Sequence, residues 1–150
     1  MPEKTINLYA KALAMLSRRD HSQQEIINKL RKFTSDIAQI NATINTLQEQ
    51  GYLNDQRYSA NFIEWNSAKS GPLKLRYQLK NKGIASDLIE AMLADSATDE
   101  LQVAYALWQR KFAGKIATSP KEKARQIRFL LSRGFSYDII TQVFKLAHKA

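Results

Sequence analysis

Cysteine is missing from the 150 residues, and glycine (5), proline (3), histidine (2) and tryptophan (2) are scarce. Without cysteine there is no disulfide, no thiolate nucleophile and no cysteine-ligated metal, which suits a reducing compartment. The two histidines, His21 and His148, have no partners at metal-ligand spacing, and His21 reads as part of a local helix start. Neither Gly-x-Ser-x-Gly nor Gly-x-x-x-x-Gly-Lys-Ser/Thr occurs; Gly114-Lys115 is followed by Ile116, and position 109 is Gln. The acidic residues are scattered, so the carboxylate cluster of a two-metal nuclease is missing. Catalytic residues, cofactors and metals are therefore not expected. No apolar run approaches the roughly 20 residues that a membrane helix needs. The opening Met1-Pro2-Glu3-Lys4 has no signal-peptide core, so a cytoplasmic protein without a membrane partner is expected. Strict apolar–polar alternation is absent too, which argues against strands.

What remains is helical. Apolar residues make up 44% and charged residues 25%, ordinary values for a folded chain. Tyr9, Leu13 and Leu16 form an apolar stripe on a helix expected over 5–18. Ser22 and Glu25 make a capping box ahead of Ile26 and Leu30. A third helix begins near Ser35-Asp36, carries Ile37, Ile40, Ile44 and Leu47, and ends at Gly51. The pattern then restarts. Tyr58, Phe62 and Trp65 stripe a helix over 55–69, Leu75 and Leu79 one over 72–82, and Leu88, Ile89, Met92 and Leu93 a short third. It restarts again with Leu101, Tyr105, Trp108 and Phe112 over 98–113. Ala124, Ile127, Leu130 and Leu131 follow over 120–133, and Ile140, Val143, Phe144 and Ala147 after Ser136.

Two spacings tie these units together. Lys82-Gly83-Ile84 matches Arg133-Gly134-Phe135 at a spacing of 51, and Asp36, Asp87 and Asp138 recur at the same interval. Tyr58/Phe62/Trp65 matches Leu101/Tyr105/Trp108 at a spacing of 43, so loops and helices differ in length between units. Units of this size cannot bury an apolar face alone and stack on their neighbours. The expected organisation is all-α, with three tandem three-helix repeats at 1–53, 54–95 and 96–150.

The net charge is +9, and it is uneven. Residues 1–53 hold 7 basic and 5 acidic residues, 54–95 hold 6 and 5, and 96–150 hold 10 and 4. Lys69, Lys74, Arg76, Lys80 and Lys82 form one window without an acid. A second, over 110–133, holds Arg110, Lys111, Lys115, Lys121, Lys123, Arg125, Arg128 and Arg133, with Glu122 its lone acid. Lys121, Arg125 and Arg128 share a helix face, where like charges repel and an anion would relieve them. The plainer reading is a solvated basic face. Lys11, Lys29, Lys32, Lys145 and Lys149 read as ordinary surface. Most aromatics lie on core stripes; Tyr77 and Phe129 lie off them and are candidates to stack on bases.

Three stretches resemble the RecX family of regulatory proteins. They are Arg19-Asp20-His21-Ser22-x-x-Glu25-x-x-x-Lys29-Leu30, Gly51-Tyr52-Leu53-Asn54-Asp55-x-Arg57-Tyr58, and Arg128-Phe129-Leu130-x-x-Arg133-Gly134-Phe135. Their order spans nearly the whole chain. Ala85 and Asn54 depart from the family's usual serine and aspartate, and the loop between Phe33 and Ser35 is short. The resemblance implies an elongated, curved array of three three-helix repeats and a monomer. It also implies binding to the RecA filament on single-stranded DNA, within its groove, with double-stranded DNA a further partner. Inhibition of RecA's ATPase, strand exchange and co-protease activity would follow, placing the chain in homologous recombination, DNA repair and the SOS response. Arg57, in the link motif, joins Lys74, Arg76, Lys80, Lys82, Lys121, Lys123, Arg125, Arg128 and Arg133 as the expected contact residues. A general nucleic-acid-binding or transcription-regulating helical protein is the alternative; against it, Gln78 and Gln126 are nearly the only amides on the candidate second helices that could read base edges.

Overall fold

The computed structural model describes residues 7–96 and 99–150. Within them are nine helices and no strand: α1 (Leu8–Arg18), α2 (Gln23–Leu30), α3 (Ile37–Glu49), α4 (Asp55–Asn66), α5 (Pro72–Asn81), α6 (Ser86–Asp95), α7 (Glu100–Phe112), α8 (Pro120–Ser132) and α9 (Tyr137–Lys149). The expected helix starts at 5 and 98, and the opening tetrapeptide, lie outside the described residues. No described helix is long and apolar enough to cross a membrane.

Side-chain caps set the helix starts. Asn7, Asp36, Asp99, Ser119 and Ser136 each accept a backbone N–H from the first turn of their helix. Ser22 forms the full capping box: its hydroxyl accepts from Glu25 N–H, and the Glu25 carboxylate accepts from Ser22 N–H at 3.0 Å. Such caps are worth about 1 kcal/mol each, which matters for helices of 8 to 13 residues.

The chain divides into two compact units. The first comprises residues 1–61 and 79–89, and its core is built from Leu8, Ala12, Ile26, Leu30, Ile40, Ile44, Leu47 and Leu53. The second comprises 62–78 and 90–150, with Ala104, Leu107, Trp108, Leu130, Phe135, Ile140, Val143 and Ala147 at its centre.

Several stripes are rotated from expectation. On α1 the buried residues are Leu8 and Ala12, with Tyr9, Leu13 and Leu16 packed around them. Ile37, expected in the core, is 61% exposed in the first turn of α3. On α4 the buried positions are Tyr58, Ser59 and Ile63. Trp65 lies about 200° around the helix from Ile63, and it is 81% exposed. This helix ends at Asn66, short of the expected 69. On α8 the inward face is Gln126 and Leu130, while Ala124 and Leu131 are exposed.

Each unit contains the same junction. In the first, the Ser22 hydroxyl donates to the Lys82 carbonyl at 2.6 Å, and a Cβ on Gly83 would lie 2.3 Å from Gln24 Cβ. In the second, Gly71 N–H donates to the Arg133 carbonyl at 2.6 Å and Leu73 N–H to the Gly134 carbonyl at 3.0 Å. A Cβ on Gly134 would lie 2.4 Å from Lys74 Cβ. The basic-Gly-apolar motif spaced by 51 is thus a docking device. It seats the end of one second helix on the start of the second helix before it, and φ values of +80° and +93° reserve both positions for glycine.

Candidate anion-binding surface

Nine of the ten expected contact residues fall into two groups, according to what holds them, and Arg133 stands apart from both. Four of the ten are engaged or confined by their surroundings. Arg57 donates from its guanidinium to the carbonyls of Gly51 (2.9 Å) and Tyr52 (3.2 Å), closing the turn after α3. Arg76 grips Glu90 through two hydrogen bonds of 2.6 and 3.2 Å. The pair holds the Glu90 carboxyl below its usual range and raises the guanidinium. Lys82 approaches Glu25 at 3.6 Å. Lys74 is half-buried against Gly134.

The second group is open. Lys80 on α5, and Lys121, Lys123, Arg125 and Arg128 on α8, are all exposed. Among the described residues the ion pairs are Arg19–Glu25, Arg76–Glu90 and Lys82–Glu25, so none of these five cations is in one. Glu122, the acid on α8, is turned to the helix start: its Oε2 accepts from Thr118 N–H (2.9 Å) and from the Thr118 hydroxyl (3.1 Å). These bonds, with the charge of Arg125, hold its carboxyl below the usual range. The row at 121, 125 and 128 therefore faces solvent without an ion pair. Arg133 is half-buried, with its guanidinium carbon 5.3 Å from the Phe129 ring centroid.

A rigid base supports this face. Trp108 Nε1–H donates to Gln126 Oε1 at 2.9 Å, and Gln126 Nε2 donates to the Lys115 carbonyl at 3.0 Å. One buried glutamine thus ties α7, α8 and the loop between them. Sequence periodicity missed it because Gln is polar; the signal was its i, i+4 relation to Leu130.

Of the stacking candidates, Tyr77 is 67% exposed. Phe129 is half-buried, edge-on to Phe112 with centroids 5.5 Å apart, so its ring is not free to take a base. Trp65, expected in the core, is the most exposed large apolar side chain described.

His21 is more than a helix-start residue. It is 2% exposed, with Nδ1 3.0 Å from the Arg19 carbonyl and Nε2 2.8 Å from Lys29 Nζ. Burial lowers its pKa, as do the charges of Arg19 and Lys29. Lys29 is therefore not plain surface, and Lys11 likewise lies over the Phe33 ring at 4.3 Å. Glu25 gathers Arg19, Lys82 and the Ser22 N–H, which outweigh its desolvation and lower its pKa. Burial and the nearby Glu25 carboxylate push the Tyr58 phenol up. These groups brace the first unit. No group of three His, Cys, Asp or Glu that could hold a metal occurs among the described residues.

Nine helices among the described residues, in three tandem three-helix repeats, with an exposed basic face on α8 that makes no ion pair among them, define an all-α repeat protein. Family models match it in order: "RecX, first three-helix domain" at 9–47, "RecX, second three-helix domain" at 54–93 and "RecX, third three-helix domain" at 98–144. The chain belongs to the RecX family. It is 38% identical to the regulatory protein RecX of Leptothrix cholodnii over 95% of this chain and 90% of that one. It is 37% identical to that of Legionella pneumophila over 89% and 90%. The crystal structure of RecX from Lactobacillus salivarius superposes with a TM-score of 0.80 at 23% identity, covering 95% of this chain and 96% of that one, a likeness of fold.

Proposed function

We propose that this chain is a negative regulator of the RecA recombinase that works by binding and not by catalysis. In this reading it is a cytoplasmic monomer of three repeats, at 1–53, 54–95 and 96–150. It lies in the groove of the RecA filament on single-stranded DNA and inhibits ATP hydrolysis, strand exchange and co-protease activity. The observation that carries the reading is the α8 row Lys121, Arg125 and Arg128, exposed and without an ion pair in a chain of the RecX family. Such a row can meet DNA phosphates or an acidic patch on a protein filament. Several weak contacts from one chain add through effective concentration. Binding that favours one filament state shifts its cycle by differential affinity, without an active site.

The test is RecA's DNA-dependent ATP hydrolysis at increasing protein. Inhibition near stoichiometry is expected, and none at a clear excess would refute the proposal. Changing Lys121, Arg125 and Arg128 together to Ala should weaken filament binding and flatten its salt dependence. The exposed Trp65 and Tyr77 favour a second reading, a general nucleic-acid binder. A gel shift on random single and double strands without RecA separates the two, since tight duplex binding alone would favour the second.

A further inference from the structure

Among the described residues up to 95, three cations meet carboxylates, Arg19 and Lys82 at Glu25 and Arg76 at Glu90, and one, Lys11, lies over the Phe33 ring. In the last repeat aromatic rings take that place. Phe112, at the end of α7, and Phe129, on α8, meet edge to face at 5.5 Å and an interplanar angle of 89°. Around this pair sit three cations. The Arg125 guanidinium carbon lies 5.9 Å from the Phe112 centroid; Arg133 at 5.3 Å and Lys111 Nζ at 5.8 Å flank Phe129. All are within the reach of a cation–π attraction. The difference from an ion pair is electrostatic. A carboxylate cancels the charge it orders; a ring orders the charge and leaves it whole. The three cations carry like charge around one ring pair, which favours an anionic ligand.

We propose that the Phe112–Phe129 pair is a positioning platform that pre-orders Lys111, Arg125 and Arg133 to grip the phosphate backbone of single-stranded DNA. Two of the three are arginines, whose planar fork matches phosphate oxygens. The nearby acid on α8, Glu122, is occupied by Thr118. Phe112 and Phe129 thereby acquire a role that charge counting does not assign, and Lys111 joins the contact residues. The inference rests on the nucleic-acid part of the proposed function, and it names the partner as a strand and the contact as phosphate.

The experiment uses the full chain, a labelled oligothymidylate and a salt series. Phe129→Leu keeps every charge but releases Arg133 and Lys111, so binding should weaken about 3- to 10-fold through lost pre-ordering. The salt slope should stay as in the parent. The double variant Lys111→Gln/Arg133→Gln leaves both rings in place and should lower the slope by about 1.4, or 0.7 per cation on a single strand. If Phe129→Leu folds and binds as tightly as the parent, the platform is only packing and the proposal is overturned. If Phe129→Leu fails to fold, the double variant decides, and an unchanged slope overturns the proposal. RecA ATPase inhibition is read in parallel. A fall in inhibition with unchanged oligothymidylate binding assigns the platform to a protein surface and overturns the phosphate assignment. Weakened oligothymidylate binding in a protein that never inhibits RecA supports the platform and refutes the RecA reading instead.

Discussion

Gln126→Leu tests the bridge beneath the basic helix. The residue is 5% exposed and Trp108 2% exposed, so the change removes the acceptor of a buried indole N–H. An orphaned buried donor costs about 1–3 kcal/mol. The Lys115 carbonyl also loses its donor, but Lys115 lies in an exposed loop and its oxygen can turn to water. Leucine is near glutamine in volume and gains up to about 1 kcal/mol from apolar burial. The expected net loss is therefore about 1–2 kcal/mol, or roughly 2–8 °C in midpoint for a chain of this size. Trp65 should first be changed to Phe, since only two tryptophans exist and this leaves Trp108 as the sole indole reporter. Urea unfolding followed by Trp108 emission gives the stability. The decisive comparison is a double-mutant cycle with Trp108→Phe, in a common background followed by circular dichroism. Phenylalanine has no N–H to orphan, so Gln126→Leu should then cost less than about 0.5 kcal/mol. Equal costs with Trp108 and with Phe at that position would refute the reasoning and reduce the bridge to packing.

Other predictions follow from separate features. His21 is buried neutral with a lowered pKa, so the unfolded chain binds the proton more readily. Its contribution is fully present above the unfolded value near 6.5 and is lost as pH falls below it through the folded value. Urea midpoints should drop between pH 7.5 and 5, and His21→Gln should flatten that slope; an unchanged slope would clear His21 of the effect. Gly134→Ala should cost at least about 2 kcal/mol, because about 1–2 of backbone strain is joined by a clash with Lys74. Gly51→Ala, at φ +80° with nothing within 4 Å, should show the strain alone, and equal midpoints for the two variants would deny the docking role of Gly134. Trp65→Ala should change stability by less than about 0.5 kcal/mol, as for other exposed positions; a large loss in thermal midpoint would show that the indole is packed after all.

Much of the architecture was readable because capping is local. Ser22 with Glu25, Asp36, Ser119 and Ser136 act within four residues of themselves, and the sequence places them together. The 51-residue period was readable for the same reason, since a glycine after a helix marks a left-handed turn. Burial was less readable where size misled. On α4 the aromatics drew the stripe toward Trp65, yet the close-packed face is Ser59 and Ile63 beside Tyr58. The basic residues were visible as charge, but which of them stay free depends on other helices. Glu90 reaches Arg76 from α6, and the carbonyls before α4 claim Arg57. The cation–aromatic platform had one local trace, Phe129 and Arg133 at i, i+4; its other half crosses from α7 to α8 and needed the fold.

The repeat junctions also bear on how fast the chain can find its structure. Ser22 to Lys82 closes a loop of 60 residues, and Gly71 to Arg133 a similar one. Loop-closure entropy grows only with the logarithm of loop length, and folding rates fall as contacts become more distant in sequence. Because each junction reaches one repeat back and no further, the search that forms it is set by the length of a repeat and not by the length of the chain. Either junction can close while the other is still open.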